Sequence, residues 1–267
     1  MRDLAELPHR FWPQSKLPEG VEARSKFINM KAAKFKKAYT KIVSPVIRKS
    51  GFRCKGTKGA LSGEEMWIGT WFLAGKYGGK GMVFIAAHPL GFPARNEYDV
   101  EPPYDYPACI FMRALRFAEG RDGTQFDLGK NDEEAAFTAE LMAEAFAEQG
   151  AAYVEQLHGA MDQLRRVTPD QFSTEAPRLH RQLSLRLTDF ASEDPASCIP
   201  EFALLLARVH TLAKSTQVRG FCEIGLEALQ REARGGTAAI VVETMLKRLP
   251  EGPLAPTKAE KQAAWNR

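Results

Sequence analysis

The sequence predicts an α+β fold, an antiparallel β-meander packed with helices and followed by an all-helical C-terminal part. Three observations predict it. Apolar residues recur every three or four positions from Glu22 to Ser50, the period of a helix. Between Phe52 and Phe117 the pattern turns to short aromatic and β-branched runs divided by glycine and proline. The helical period then returns and holds from Glu133 to Leu249. With 267 residues, 44% of them hydrophobic, the chain is long enough to bury a sizeable core.

Each element has its own warrant. Residues 1–20 form a proline-punctuated leader in which Trp12 either pins the leader to the body or anchors a partner. In the first helix Ile28, Ala32, Phe35, Tyr39, Ile42 and Val46 share a face, Lys34, Lys37, Lys41 and Arg48 lie opposite, and Gly51 ends it. Pro45 removes the amide that would bond the Lys41 carbonyl, at about 3 kcal/mol in a helix interior, so a kink or break near Lys41 to Ser44 is expected. Strands are expected at Phe52–Lys58, Met66–Ala74, Met82–Ala87 and Cys109–Phe117, with turns at Gly59–Gly63 and Gly75–Gly81. A long loop with five prolines spans His88 to Pro107. An acidic helix over Glu133–Gln149 follows the N-cap pair Asn131-Asp132, counts Phe137, Leu141 and Phe146 among its apolar positions, and ends at Gly150. Further helical segments cover Ala151–Val167, Pro169 to about Leu187, and, after a break at Ser192–Pro200, about Glu201–Ala213, Val218–Arg234 and Thr237–Leu249. The resulting division is a leader at 1–20, an α+β domain at 21–167, a helical domain at 168–250 and a flexible tail at 251–267.

The central strands are apolar on both faces. Trp67, Trp71 and Leu73 point one way, Met66, Ile68 and Phe72 the other. A sheet with one face in water would alternate apolar and polar residues. This one needs cover on both faces, for which the acidic helix is available, or it presents an apolar patch to a partner.

Charge is segregated. Residues 1–60 hold 15 Lys/Arg against 4 Asp/Glu, and residues 120–200 hold 7 against 15, behind a formal net charge of +4. The two regions either face each other within the fold or each face a different partner.

Chemistry-bearing motifs are few. The run Gly75-Lys76-Tyr77-Gly78-Gly79-Lys80-Gly81 is a hairpin turn, because a phosphate loop needs Lys followed by Ser or Thr at the start of a helix. His9, His88, His158, His180 and His210 lie in different elements without ligand spacing, and His88 is read as a structural histidine. Cys54, Cys109, Cys198 and Cys222 form no C-x-x-C pair and read as reduced thiols. No nucleophile elbow occurs, and the carboxylates of Glu133 to Glu155 read as a solvated helix face. The reading is a binding protein rather than an enzyme, with no catalytic, cofactor-binding or metal-ligating residues and no cofactor. Asp3, Glu6 and Pro8 stand where a secretory signal would be apolar, and no run reaches the roughly 18 apolar residues of a membrane helix, so a cytoplasmic protein without a membrane partner is expected.

The run Phe35-Lys36-Lys37, then Ile42 to Ile47 with Pro45, then Lys49-Ser50-Gly51-Phe52-Arg53, resembles the opening of a large uncharacterised bacterial domain family. There a helix with a late proline ends in Gly-Phe, and a meander follows with aromatics in its second strand and an arginine in its last. Met66–Ala74, Met82–Ala87 and Arg113 fit that order, and the resemblance covers about Val21 to Val167. Such domains resemble immunity proteins that protect bacteria from secreted toxins, including those encoded beside type VI secretion effectors. The resemblance implies a cytosolic inhibitor that binds a cognate toxin, a nuclease among the candidates, by direct contact. It carries over no catalytic residue, and the helices after Thr168 go beyond the family's short form. Glu140, Glu144 and Glu148, with Trp67 and Trp71, are the candidate partner-binding residues. The alternative is a nucleic-acid or general interaction module using the basic first helix, and oligomeric state stays open.

Overall fold

A computed structural model describes residues 21–75, 79–93, 101–116, 123–185, 187, 198–232 and 237–250. The leader with Trp12, the tail from 251, the tip of the 75–81 turn and most of the 192–200 break lie outside the described residues, as do the side chains of Ile28 and Ala32.

The chain is α+β. Helix α1 (Val21–Lys49) leads into a meander of β1 (Arg53–Lys55), β2 (Lys58–Ser62), β3 (Met66–Ala74), β4 (Lys80–Pro89) and β5 (Phe111–Ala114). All neighbours are antiparallel in the order β1-β2-β3-β4-β5, and the short β6 (Phe126–Asp127) pairs with the start of β4. Five helices follow among the described residues: α2 (Asp132–Arg166), α3 (Pro169–Leu183), α4 (Ile199–Leu212), α5 (Val218–Glu232) and α6 (Thr237–Arg248).

Several expectations need correction. The first strand is shorter than Phe52–Lys58, because the chain turns at Gly56-Thr57 and Lys55 faces Lys58 in register. Gly56 at φ +62° supplies the positive φ that a two-residue hairpin needs at its first central position. The stretch expected as a turn, Gly59–Gly63, mostly belongs to β2. Strand β4 outruns Met82–Ala87 at both ends and takes in His88, opposite Trp67. Gly150 does not end a helix: α2 runs unbroken for 35 residues, and Gly150 is buried where an added Cβ would lie 3.1 Å from the Phe146 ring.

Nor does Pro45 break α1, which stays helical through Lys49. The segment is held on both sides of the proline. Phe35, Tyr39, Val43 and Ile47 are 0–1% exposed, each worth roughly 1.5–3 kcal/mol of burial, which outweighs one missing hydrogen bond.

The sheet separates two apolar clusters. On one face Met66, Ile68, Phe72, Val83 and Ile85 join the main core with α1 and α2. Phe35 and Tyr39 meet Phe72 at ring distances of 4.9 and 5.2 Å. The two helices run in the same direction, since Lys34, midway along α1, lies 3.8 Å from Asp132 at the start of α2, and Phe52, just past the end of α1, meets Phe146 further along α2. The same core continues through Leu157, Leu164 and Phe172 to Phe202, Phe221 and Leu246 of the later helices.

The second face is covered differently from expectation. Helix α2 shares the first face with α1, and the proline-rich segment after β4 folds back instead. Tyr104 stands edge-on to Trp67 at 5.7 Å, and Tyr106 lies against Trp71 and Phe84 at 5.9 and 5.3 Å. Gly69 lies between the two tryptophans on that face, where a Cβ would come within 2.6 Å of both indoles. Glycine there lets the rings approach to 5.4 Å.

Candidate functional site

The sequence-predicted residues separate into two places. Trp67 and Trp71 are 5% and 4% exposed beneath Tyr104 and Tyr106. Their faces are occupied by the chain's own aromatics. Glu140, Glu144 and Glu148 are exposed on α2.

The start of α2 is firmly fixed. Asn131 caps it by accepting the Glu134 amide at 2.8 Å. The Glu134 carboxylate reaches back to the Lys130 amide at 2.7 Å, a reciprocal arrangement that occupies two donors at once. Thr138 donates its hydroxyl to the Asp127 carbonyl at 2.6 Å, tying the helix to β6. Ala135, Ala139, Met142 and Phe146 then face the core.

The opposite face forms a continuous exposed row of Glu133, Phe137, Glu140, Glu144 and Glu148, at spacings of four and three. Phe137, which the sequence places among the apolar positions of this helix, is 57% exposed, the one large hydrophobic so exposed among the described residues. Its phase was legible in the sequence: it shares the turn spacing of the glutamates, whereas Ala135, Ala139 and Met142 mark the buried side. Phe137 borders an open groove of about 830 Å3 between β6 and α2, lined also by Lys80, Asp127, Lys130, Glu133 and Leu141. An aromatic ring among carboxylates, beside a groove with both charges, can hold a partner by apolar contact and ion pairing.

The opposite charges of α1 and α2 lie side by side and largely unpaired. Lys34–Asp132 is the one ion pair between the two helices among the described residues, and both partners are well exposed.

A second cluster sits where β4 ends. His88 is fully buried, its Nε2 2.9 Å from the Phe92 carbonyl and its ring 4.3 Å from that of Tyr104. That spacing makes Nε2 the protonated nitrogen, and Nδ1 finds no partner among the described residues. Desolvation pushes the His88 pKa down to about 4 against the opposing effect of the Phe92 bond. Burial likewise pushes the Tyr104 phenol up to about 12. Arg208 of α4 donates Nε to the Leu90 carbonyl at 2.8 Å. Its guanidinium fills the space beside Gly91, where φ is +75° and a Cβ would come within 2.4 Å of it. This cluster ties α4 to the sheet. Among the described residues no three His, Cys, Asp or Glu side chains come together to hold a metal, and no helix is long and apolar enough to cross a membrane.

Compared with known families, curated proteins and solved structures, the chain has no match.

Proposed function

We propose that this chain binds and neutralises a secreted antibacterial toxin by direct contact, and that the exposed row on α2 is its contact surface. The observation that carries the reading is Phe137, 57% exposed within a row of glutamates on a helix whose other face is core. Exposed aromatics surrounded by charge are the usual anchors of protein interfaces, and the charge around them selects the partner. An acidic row selects a basic surface. A toxin that cuts nucleic acid must present such a surface to its substrate's phosphates, and an acidic ridge laid across it would exclude the substrate. The resemblance of about Val21 to Val167 to immunity proteins points the same way.

The experiment is co-expression with a candidate toxin drawn from the neighbouring genes, with growth and pull-down as readouts. Phe137→Ala should weaken the complex by about 2 kcal/mol, roughly thirtyfold. Reversing Glu140, Glu144 and Glu148 to Lys should abolish protection, and reversing Lys34, Lys37 and Lys41 should matter less. Added salt should weaken the wild-type complex. No complex at low salt and no rescue of growth would overturn the reading.

A further inference from the structure

The exposed charges of α1 and α2 share a spacing and a level. Lys34, Lys41 and Arg48 recur every seven residues on the side of α1 opposite Phe35, Tyr39, Val43 and Ile47, and all three are exposed. On α2 the exposed Glu133, Glu140 and Glu148 keep nearly the same spacing on the side opposite Ala139, Met142 and Phe146. The buried sides of both helices pack on the same sheet face, so both rows stand on the outer side of the helix pair. Lys34 lies 3.8 Å from Asp132, and the two helices rise together at about 1.5 Å per residue. Lys41 is then level with Glu140, and Arg48 with Glu148. Facing outward rather than toward each other, these four form no ion pair among the described residues.

We propose that two copies of this chain associate face to face through the helix pair, the cationic row of each on the acidic row of the other. A surface with a positive and a negative stripe side by side is complementary to itself. A half-turn about an axis parallel to the helices sets α1 over α2 of the second copy and keeps every residue at its level. Lys34 then faces Glu133 of the other copy, Lys41 faces Glu140, Arg48 faces Glu148, and each contact occurs twice. Lys37 comes over the Phe137 ring, a cation against the one large exposed aromatic among the described residues. A half-turn about an axis across the helices sets like charge on like charge and is repelled. Ser44, between Lys41 and Arg48, is covered by the β1–β2 turn, so the contact divides into a part around Lys41 and a part around Arg48. The rows span about 21 Å and two packed helices present a face about 20 Å wide, so each copy buries on the order of 400 Å². The total lies below the roughly 1,200 Å² of stable complexes, which makes this a reversible dimer that forms as concentration rises. Because it covers Phe137 and the glutamates, a second copy and a toxin compete for one row. That competition rests on the proposed toxin contact; the dimer does not.

The test is analytical sedimentation of the full chain, without any toxin, from about 5 to about 500 μM, the range in which contacts of this size associate. In about 100 mM NaCl the mass should climb from 29.7 kDa toward twice that value and no further, since a two-fold contact closes on itself. In about 1 M NaCl, where the screening length falls from about 10 to 3 Å, it should stay at that of one chain. Lys41→Glu with Arg48→Glu, and separately Glu140→Lys with Glu148→Lys, should each remain single, because each turns both rows toward the same sign. All four positions are exposed, so the substitutions leave the core alone. Mixed in equal amounts, the two variants should regain the dimer, each row now facing its opposite, a rescue that a folding defect does not permit. Five results would overturn the inference: a single chain throughout in low salt, association that ignores salt, growth beyond two chains, either variant pairing with itself like the wild type, or a mixture that stays single. Loss of the toxin contact would leave these measurements untouched, so the two proposals fail separately.

Discussion

His88 shows how one buried side chain links local packing to pH. The ring is enclosed by Tyr104 and Phe92, and with its pKa depressed to about 4 it stays neutral in the folded protein across the range where an unfolded histidine, near 6.5, takes a proton. Its contribution to stability is therefore fully present above pH 6.5 and is lost as pH falls toward 4. Between pH 7.5 and 5 the loss should be about 2 kcal/mol. Urea unfolding at the two pH values checks this: His88→Gln, which keeps a donor for the Phe92 carbonyl, should show a correspondingly smaller drop. His180 and His210, also depressed by burial, are common to both proteins and cancel in the comparison. In the sequence His88 reads as structural from its isolation alone. Its partners do not: the Phe92 carbonyl lies across a bend, and Tyr104 arrives from a loop whose path no local periodicity encodes. Phe137 is the reverse case, where the residue type suggested the core and only the phase of the helix placed it outside.

Pro45 poses the problem at the level of the element. The proline rule treats a helix as isolated, and there its cost favours a break. Within this fold α1 is pinned by four core side chains, and Ser44, next to the proline, is clamped by the β1–β2 turn. Pro45→Ala should leave the fold unchanged and raise stability by about 2 kcal/mol, the helix-interior cost of about 3 less the roughly 1 that proline saves by restricting the unfolded chain. A shift of the urea midpoint to higher concentration at constant slope is the expected result. The same distinction explains which elements were legible. β3 and α4 to α6 carry strong periodic patterns, and α3 has a clear start at the Thr168 cap that accepts the Gln171 amide at 3.2 Å, but it ends at Leu183, short of the expected Leu187, where Ser184 turns to a φ of +50°. The β1–β2 turn and the unbroken α2 depend on tertiary neighbours: Ser44 for the first, and for the second the core that encloses Phe146 and Gly150.

The whole molecule is knit by one buried cluster that runs from Phe35 through Leu164 and Phe172 to Leu249, and the Arg208–Leu90 bond adds a polar tie between α4 and β4. Unfolding should therefore be a single transition. Tryptophan fluorescence, which includes Trp67 and Trp71 on β3, and far-UV circular dichroism, dominated by the helices, should give coincident urea curves. Two separated midpoints would show that the later helices melt by themselves. The parallel packing of α1 and α2 also shapes how partners meet the protein. Packed helix axes lie about 8–10 Å apart, close to the roughly 8 Å over which salt screens charge under physiological conditions. A molecule approaching from further away meets two opposed rows that nearly cancel, with a formal net charge of only +4 behind them. Only within the last water layers do the rows resolve into separate fields, so selection between basic and anionic partners takes place after encounter, in how long each one stays.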